Sequence, residues 1–226
     1  MISIIIPVLN EEEKLANLLQ KLKQIEDPIS FEIIVVDGGS QDQTVAIASK
    51  FAAVYQLKQA NRGAQLKLGA EKSSGDILWF LHSDSKLADY RQGLRQIQDS
   101  LKDPCYSAGY FQLVFDLQDF FYRYLAKTSN LRARFLGLIF GDQGLFTTRQ
   151  QYEKTGGFEE IPLMEDWRFS RKLWKQGKFY QLPITITTSS RRFRKGKIRT
   201  HLKMHKIKLL YLLGVPPEKL ARRYYK

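Results

Sequence analysis

The sequence predicts an α/β fold: a mainly parallel, Rossmann-like sheet flanked by helices and followed by a basic helical tail. Three observations carry that expectation. Short apolar runs alternate with segments of helical spacing over the first 85 residues. Acidic residues stand where those runs end, at Asp37 and Asp84, and again at Glu165 and Asp166. Carboxylates at strand ends are poor core residues, and in an open α/β sheet the carboxyl ends of the strands are where ligands bind. The positive charge is concentrated at the end of the chain: residues 191–226 hold 13 Lys and Arg against one acid, Glu218, whereas residues 1–190 hold 23 against 22.

Residues 2–8 form an Ile-rich run that reads as a buried strand. Leu15, Leu18, Leu19, Leu22 and Ile25 recur at helical spacing, with Asn10 as N-cap and Glu11, Glu12 and Glu13 as first-turn acids. Pro28 ends that helix, and residues 31–36 supply the second strand. Val45, Ala48, Phe51 and Ala52 mark a helix starting at Asp42 or Thr44, and residues 54–57 a third strand. Residues 62–72 read as a helix closed by Gly75, and residues 76–81 as the fourth strand. The second half is less regular. Leu94, Ile97 and Leu101 mark a helix, 107–115 a longer strand, 165–176 a helix and 179–188 a strand rich in Thr and Ile. Residues 117–140 are apolar and aromatic but carry Arg123, Lys127, Arg132 and Arg134. The tail reads as a basic loop over 191–199, an amphipathic helix over about 200–213 and a short helix after Pro216 and Pro217.

A chain of 226 residues, 43% hydrophobic and 12% aromatic, is long and apolar enough to bury a core, which excludes a disordered chain. The single cysteine, Cys105, rules out an internal disulfide; a buried, inert thiol in a reducing compartment is expected. No basic n-region or small-residue cleavage site surrounds Ile4, Ile5 and Ile6, and no apolar stretch approaches the ~20 residues that span a bilayer, so a cytoplasmic location is expected. The basic tail suits phosphates, anionic lipid or nucleic acid, and equally a solvated basic face.

Seven clusters carry candidate chemistry. Pro7, Asn10 and Glu12 follow the first strand. Asp37 opens Asp37-Gly38-Gly39-Ser40-Gln41-Asp42, where paired glycines allow close backbone approach and Asp37 is placed to accept from a base or ribose. Gly-x-Gly-x-x-Gly is missing, so this is not a dinucleotide fingerprint. Arg62 and Gln65 start a helix, where Arg62 suits a phosphate. His82-Ser83-Asp84-Ser85 follows the fourth strand; His82 and Asp84, two apart, are expected to point the same way, and one carboxylate with substrate phosphates suffices for Mg2+ or Mn2+. Asp142 and Gln143 lie in Gly141-Asp142-Gln143-Gly144, and Glu165, Asp166 and Trp167 open a later helix, where a carboxylate suits a general base. Arg191, Arg192, Arg194, Lys195 and Lys197 form a loop able to close over a diphosphate, with His201 as a further metal ligand. Each also has a plain reading as turn, helix cap or packing residue.

Together these residues resemble family 2 glycosyltransferases of the GT-A fold. The resemblance rests on Ile5-Ile6-Pro7-Val8-Leu9-Asn10-Glu11, on Val35-Val36-Asp37-Gly38-Gly39-Ser40-x-Asp42-x-Thr44, on Asp84 and on Glu165-Asp166. A small branch of that family is matched more narrowly at residues 62–70, 81–84, 141–144, 165–166, 191–192 and 214–217. The resemblance implies an inverting, hexosyltransferase-type enzyme moving a sugar from a nucleoside diphosphate sugar, UDP by family default, to a hydroxyl acceptor. It implies that Asp37 binds the nucleoside, Asp84 the metal, and Asp166 the acceptor proton, with Glu165 supporting it or touching the sugar. Pro7, Asn10, Glu12, Gly38, Arg62, Gln65, His82, Ser83, Arg191 and Arg192 would line the nucleotide site, and Asp142, Gln143 and Trp167 the sugar and acceptor. Residues 1–85 would be the nucleotide half and 86–190 the acceptor half, with 191–226 packed on or near them. His82 departs from the family's usual Asp-x-Asp, which touches metal dependence.

Two other readings compete. A sugar-1-phosphate nucleotidyltransferase wants a glycine-rich basic loop after the first strand, where this chain has Leu9-Asn10-Glu11-Glu12. A non-catalytic nucleotide-, lipid- or nucleic-acid-binding protein would use the basic tail; nucleic acid would bring steep salt dependence. Residues 202–213, with five leucines beside Lys203, Lys206 and Lys208, suit peripheral contact with an anionic membrane, helped by the aromatic stretch near Phe120, or packing back onto the domain.

Overall fold

A computed structural model of the chain describes residues 1–26, 28–194 and 196–224. The elements are β1 (Ile2–Val8), α1 (Glu12–Lys23), β2 (Phe31–Asp37), α2 (Thr44–Ala48), β3 (Ala53–Gln56), α3 (Arg62–Glu71), β4 (Ile77–Phe80), β5 (Lys86–Leu87), α4 (Tyr90–Ser100), β6 (Tyr106–Phe115), α5 (Phe120–Leu136), β7 (Phe146–Thr148), α6 (Arg149–Lys154), α7 (Glu165–Trp174), β8 (Lys178–Thr188), α8 (Lys197–Leu212) and α9 (Pro217–Tyr224). Short 3₁₀ turns sit at Gly141–Gln143 and Ser190–Phe193.

One eight-stranded sheet runs β3-β2-β1-β4-β7-β6-β8-β5. The β3-β2-β1-β4 half is parallel, as the alternating pattern predicts. β7 enters antiparallel between β4 and β6, while β6 pairs with β8 in parallel and β5 closes the far edge antiparallel to β8. The strand period of two sorts the core into two layers. Ile2, Ile4 and Ile6 face Leu15, Leu18 and Leu22 of α1 on one side. Ile5 faces Leu66, Phe80, Phe158 and Phe169 on the other.

Several expectations are corrected. β3 and β4 start one residue away from the expected bounds, and β5 and β7 were not foreseen because two or three residues carry no period. Residues 117–140 resolve into α5, capped where the Asp119 carboxylate accepts from Tyr122 N–H at 3.2 Å. Asn10 does not cap α1: it takes φ +51°, and Thr44 and Asp42 accept from the first α1 amides instead. The basic loop is shorter than expected, because Phe193 is buried against Phe115, Phe121 and Tyr122 and α8 already begins at Lys197; Lys195 lies outside the described residues. Cys105 is exposed, not buried, in the turn before β6, where Asp103 accepts from its amide. Burial of nearby surface and the Asp103 carboxylate push its thiol above the usual value, away from thiolate.

The tail folds back on the body. Ile207, Leu220 and Ala221 are buried, Tyr211 meets the Trp167 ring, and Arg168 Nε donates to Tyr211 Oη at 3.0 Å. Among the described residues no helix is long and apolar enough to cross a membrane.

Candidate active site

The parallel strands β1, β2 and β4 deliver their carboxyl ends to one edge, and the first two loops there are stitched together. Asn10 N–H donates to Ser40 Oγ at 2.8 Å and Gln41 N–H to Asn10 Oδ1 at 2.8 Å. Gln43 N–H donates to Glu12 Oε2 at 2.9 Å. Gln65, 4% exposed, donates its amide to the carbonyls of Val8 and Val36, both at 2.9 Å, and so ties the ends of β1 and β2. Pro7 sits beside Val36 in the ladder, and Gly38 N–H returns to Val8 O at 2.9 Å.

Asp37 belongs to this stitching. It is 1% exposed, accepts from Gly39 and Ser40 N–H at 2.9 Å each, and accepts from the Ser40 hydroxyl. A carboxylate held by three local donors fixes the loop before it meets any ligand, a role the strand-end pattern did not distinguish from nucleoside contact. The same holds for Asn10, Glu12 and Gln65: the structure gives each a partner inside the floor of the site.

After β4 the chain turns, with Ser85 N–H on His82 O at 3.1 Å and Ser83 buried. This turn separates the two side chains that were expected to point together. Asp84 faces Arg191, Oδ2 to guanidinium at 3.7 Å. Arg191 in turn grips Glu11 in a bidentate pair that joins residues from opposite ends of the chain. His82 points elsewhere: a Cβ on Gly141 would lie 2.2 Å from His82 Nε2 and 2.4 Å from an Arg62 nitrogen, so the imidazole meets Arg62 at that turn. Burial, then the charges of Arg62, Arg192 and Arg191, hold its pKa well below the ordinary value, which favours the neutral ring.

The third group gathers at the start of α7. Met164, left-handed at φ +68°, precedes it; a bulky residue seldom adopts that conformation. Glu165 is 4% exposed and lies 3.1 Å from Arg62 Nε, an ion pair without hydrogen-bond alignment. Burial and the neighbouring Asp166 charge raise its pKa to about 7, against the pull of Arg62. Asp166 is crowded by protein yet keeps partial exposure, and accepts from Gly141 N–H at 2.8 Å. Its pKa is also raised, by burial first and by Asp142, against Arg62 and Arg132.

Arg132, Lys208 and Tyr224 complete this group and were not foreseen. Arg132 lies over the Phe140 ring at 3.8 Å and donates to Gln143 Oε1 at 2.9 Å. Lys208 stands over the same ring at 5.1 Å, and burial with the Arg132 charge lowers its pKa to about 8. Tyr224 accepts from Arg192 and is held in its neutral form chiefly by burial. Trp167 packs between Phe140, tilted to it, and Tyr211, edge to face. An arginine inside an apolar stretch was a usable signal for Arg132; nothing local marked Lys208 or Tyr224. His82 Nε2 and Asp142 Oδ1 are buried without a hydrogen-bond partner among the described residues, a costly state for groups meant to stay alone.

His201 is seated away from these carboxylates, its ring against Phe121, Tyr124 and His205. It therefore does not join Asp84, and among the described residues no three His, Cys, Asp or Glu side chains group to hold a cation. Asp84 alone suits a hard divalent ion: its carboxylate is 14% exposed and meets Arg191 only beyond hydrogen-bond reach.

Comparison with known proteins gives the family and the fold. The profile of "Glycosyl transferase family 2" matches residues 3–162, a span that ends just before Glu165. Glycosyltransferase AglE of Haloferax volcanii is 40% identical over 91 residues, 37% of this chain and 30% of that protein. Glucosyl-3-phosphoglycerate synthase of Mycolicibacterium smegmatis is 30% identical over 92 residues, again 37% of this chain and 30% of that protein. The matched stretch thus spans under a third of either relative. Among solved structures, mannosyltransferase PcManGT from Pyrobaculum calidifontis, in complex with GDP-Man and Mn2+, superposes with TM-score 0.68 at 17% identity, covering 99% of this chain and 68% of that one. S. aureus TarS 1-349 with UDP-GlcNAc gives TM-score 0.65 at 19% identity, covering 84% and 58%. The match of that family's model over most of the sequence establishes that this chain belongs to glycosyl transferase family 2.

Proposed function

We propose that the protein is an inverting glycosyltransferase that moves a sugar from a nucleoside diphosphate sugar, UDP being the first donor to test, to a hydroxyl acceptor. The observation that carries this reading is the pair of charged groups that meet at the turn after β4, Asp84 facing one and His82 the other. On one side stand Asp84, Arg191 and Glu11; on the other, Arg62, Glu165, Asp166 and the Gly141–Gln143 turn. That places cations and a metal-suited carboxylate next to a pair of proton-accepting carboxylates.

Asp166 is the base: it has the exposed face that Glu165 lacks, and its raised pKa brings it closer to a hydroxyl's demands. The acceptor oxygen bonds to the anomeric carbon, the bond from that carbon to the diphosphate oxygen breaks, and its electron pair leaves with the nucleoside diphosphate. The acceptor proton passes to Asp166. A single displacement of this kind inverts the anomeric centre. Arg191, released from Glu11, and Arg192 face the departing diphosphate, and preorganised charge at such a group is a large catalytic term. Asp84 would hold Mg2+ or Mn2+, which supplies charge stabilisation to the diphosphate when bound. Asp142 and His82 offer their unpartnered polar atoms to sugar hydroxyls, with Gln143 and Trp167 bordering the acceptor side. Asp37, Gly38, Pro7, Asn10, Glu12, Gln65, Ser83 and Arg62 form the floor on which the nucleotide rests. The reaction belongs in a reducing, cytoplasmic setting, with the basic tail toward an anionic membrane and no role for nucleic acid.

Calorimetric binding of UDP, GDP and dTDP and their sugar conjugates, with and without Mn2+, tests this. Metal-dependent binding of one nucleotide, lost in Asp84→Ala, is the expected result. Slow donor hydrolysis should vanish in Asp166→Asn while binding remains. If no nucleotide binds under any metal condition, the transferase reading fails.

A further inference from the structure

We infer that the exposed face shared by α5 and α8 docks on an anionic lipid bilayer, with its apolar centre among the acyl chains and its basic margins on the headgroup phosphates. This inference goes beyond the transfer chemistry and does not depend on it.

A helix of a soluble domain ordinarily has one apolar stripe, turned to the core. These two helices each have a second stripe, turned to solvent. On α5 the core side is Tyr122, Leu125 and Ala133. At 100° per residue the opposite side carries Phe120, Tyr124, Leu131 and Phe135, exposed by 80, 49, 42 and 66%. On α8 the core side is Ile207, and Ile198, Leu202, Leu209 and Leu212 stand out by 71, 62, 58 and 65%, with Leu213 following at 72%.

The two stripes adjoin. Near the start of both helices Lys197 pairs with Asp119 and lies over the Phe121 and Tyr122 rings, and His201 meets Phe121 and Tyr124. At the other end Lys208 stands over Phe140, just past α5. Side chains thus join the two helices near their starts and again past the end of α5, which is itself about 25 Å long. An exposed apolar face of this extent marks an interaction site.

Charge decides what covers it. Arg123, Lys127 and Arg134 line the outer margin of α5, and Arg199 and Lys206 that of α8, while neither helix contains an acid. An apolar strip between two basic margins is the pattern of an interfacial element on anionic lipid. Beside the α5 margin lies a hollow of about 340 Å³ whose wall includes Arg123, Lys127 and Arg134 together with Leu113, Val114 and Leu131, a mixture suited to a phosphate at the acyl boundary. A second copy of the chain would set like-charged margins against each other across a two-fold axis. Nucleic acid would neutralise the margins but leave the apolar strip in water.

The test is flotation of the full chain with phosphatidylcholine vesicles, with and without phosphatidylglycerol. Binding is expected only with phosphatidylglycerol, and it should weaken as salt rises. Each margin cation removed should lower partitioning about fivefold, so Lys127→Gln with Lys206→Gln should lower it about 25-fold. The triple variant Phe135→Ser, Leu202→Ser and Leu209→Ser, all exposed positions, should melt like the parent chain and no longer float. Asp166→Asn should float unchanged, which separates this inference from the transferase reading. Absence of flotation, equal binding to neutral vesicles, an unaffected triple variant, or a dimer in light scattering that the triple variant converts to monomer would each overturn it.

Discussion

Glu165→Gln should make the protein more stable at high pH while impairing it as an enzyme. Folded Glu165 takes up its proton at about 7 instead of the ordinary 4.5, because burial and the Asp166 charge outweigh Arg62. The folded chain therefore binds more protons than the unfolded chain between those two values, and stability falls as pH rises through that window. The full difference is worth about 3 kcal/mol above pH 7 and vanishes below the unfolded value. Glutamine fills the same space and never ionises. Urea unfolding should therefore show the variant ahead of the parent by about 1 kcal/mol at pH 5 and about 3 kcal/mol at pH 8. In a chain of this size that is a melting shift of about 6–12 °C at the higher pH. Asp166→Asn removes one cause of the raised pKa and should narrow the window. A gap that stays flat within about 0.5 kcal/mol from pH 5 to pH 8 would refute the reasoning, since Glu165 would then ionise as an ordinary carboxylate. Donor turnover should fall in the same variant.

Asp84→Asn should lower metal-dependent nucleotide affinity by more than the about 10–100-fold that outer partners of a metal are worth, read by calorimetry. Arg191→Ala should change the unfolding free energy by under about 1 kcal/mol, because its guanidinium is half-exposed, yet weaken diphosphate binding; a large loss of stability would contradict the placement. Gly63→Ala should cost about 1–3 kcal/mol in thermal or urea unfolding, since a Cβ there would lie 2.0 Å from Glu159 O, and no change would mean that α3 does not approach that loop as described.

The first half of the fold was legible because each of its elements repeats a period over enough residues. Seven residues of β1 and the leucines of α1 leave no doubt about strand and helix, and parallel pairing follows from their alternation. β5 and β7 carry two and three residues, and they exist because β8 and β4 offer them ladder partners. That information is held by strands far away in sequence. The same applies to α5: its two apolar stripes blur the helical period, so composition alone suggested an irregular segment.

At the site, the acidic residues were legible and their partners were not. A carboxylate at a strand end announces itself, but Asp37 and Asp84 look alike in sequence and differ in what surrounds them. Asp37 has Gly39 and Ser40 folding over it within its own loop, whereas among the described residues the partner of Asp84 is Arg191, more than a hundred residues later, at the edge of reach. One carboxylate is therefore satisfied within its own loop, and the other meets its partner only beyond hydrogen-bond reach. The tail shows the same limit. Its sequence placed it on or near the domain without saying which residues turn inward, and those residues, Lys208 over Phe140 and Tyr224 against Arg192, help enclose the group around Asp166. Burial then does the chemical tuning, lowering the Lys208 pKa and raising that of Glu165 in the same enclosure. A chain cut before α8 would keep every carboxylate of the site but lose the enclosure that shifts them, and Glu165 would titrate closer to an ordinary glutamate.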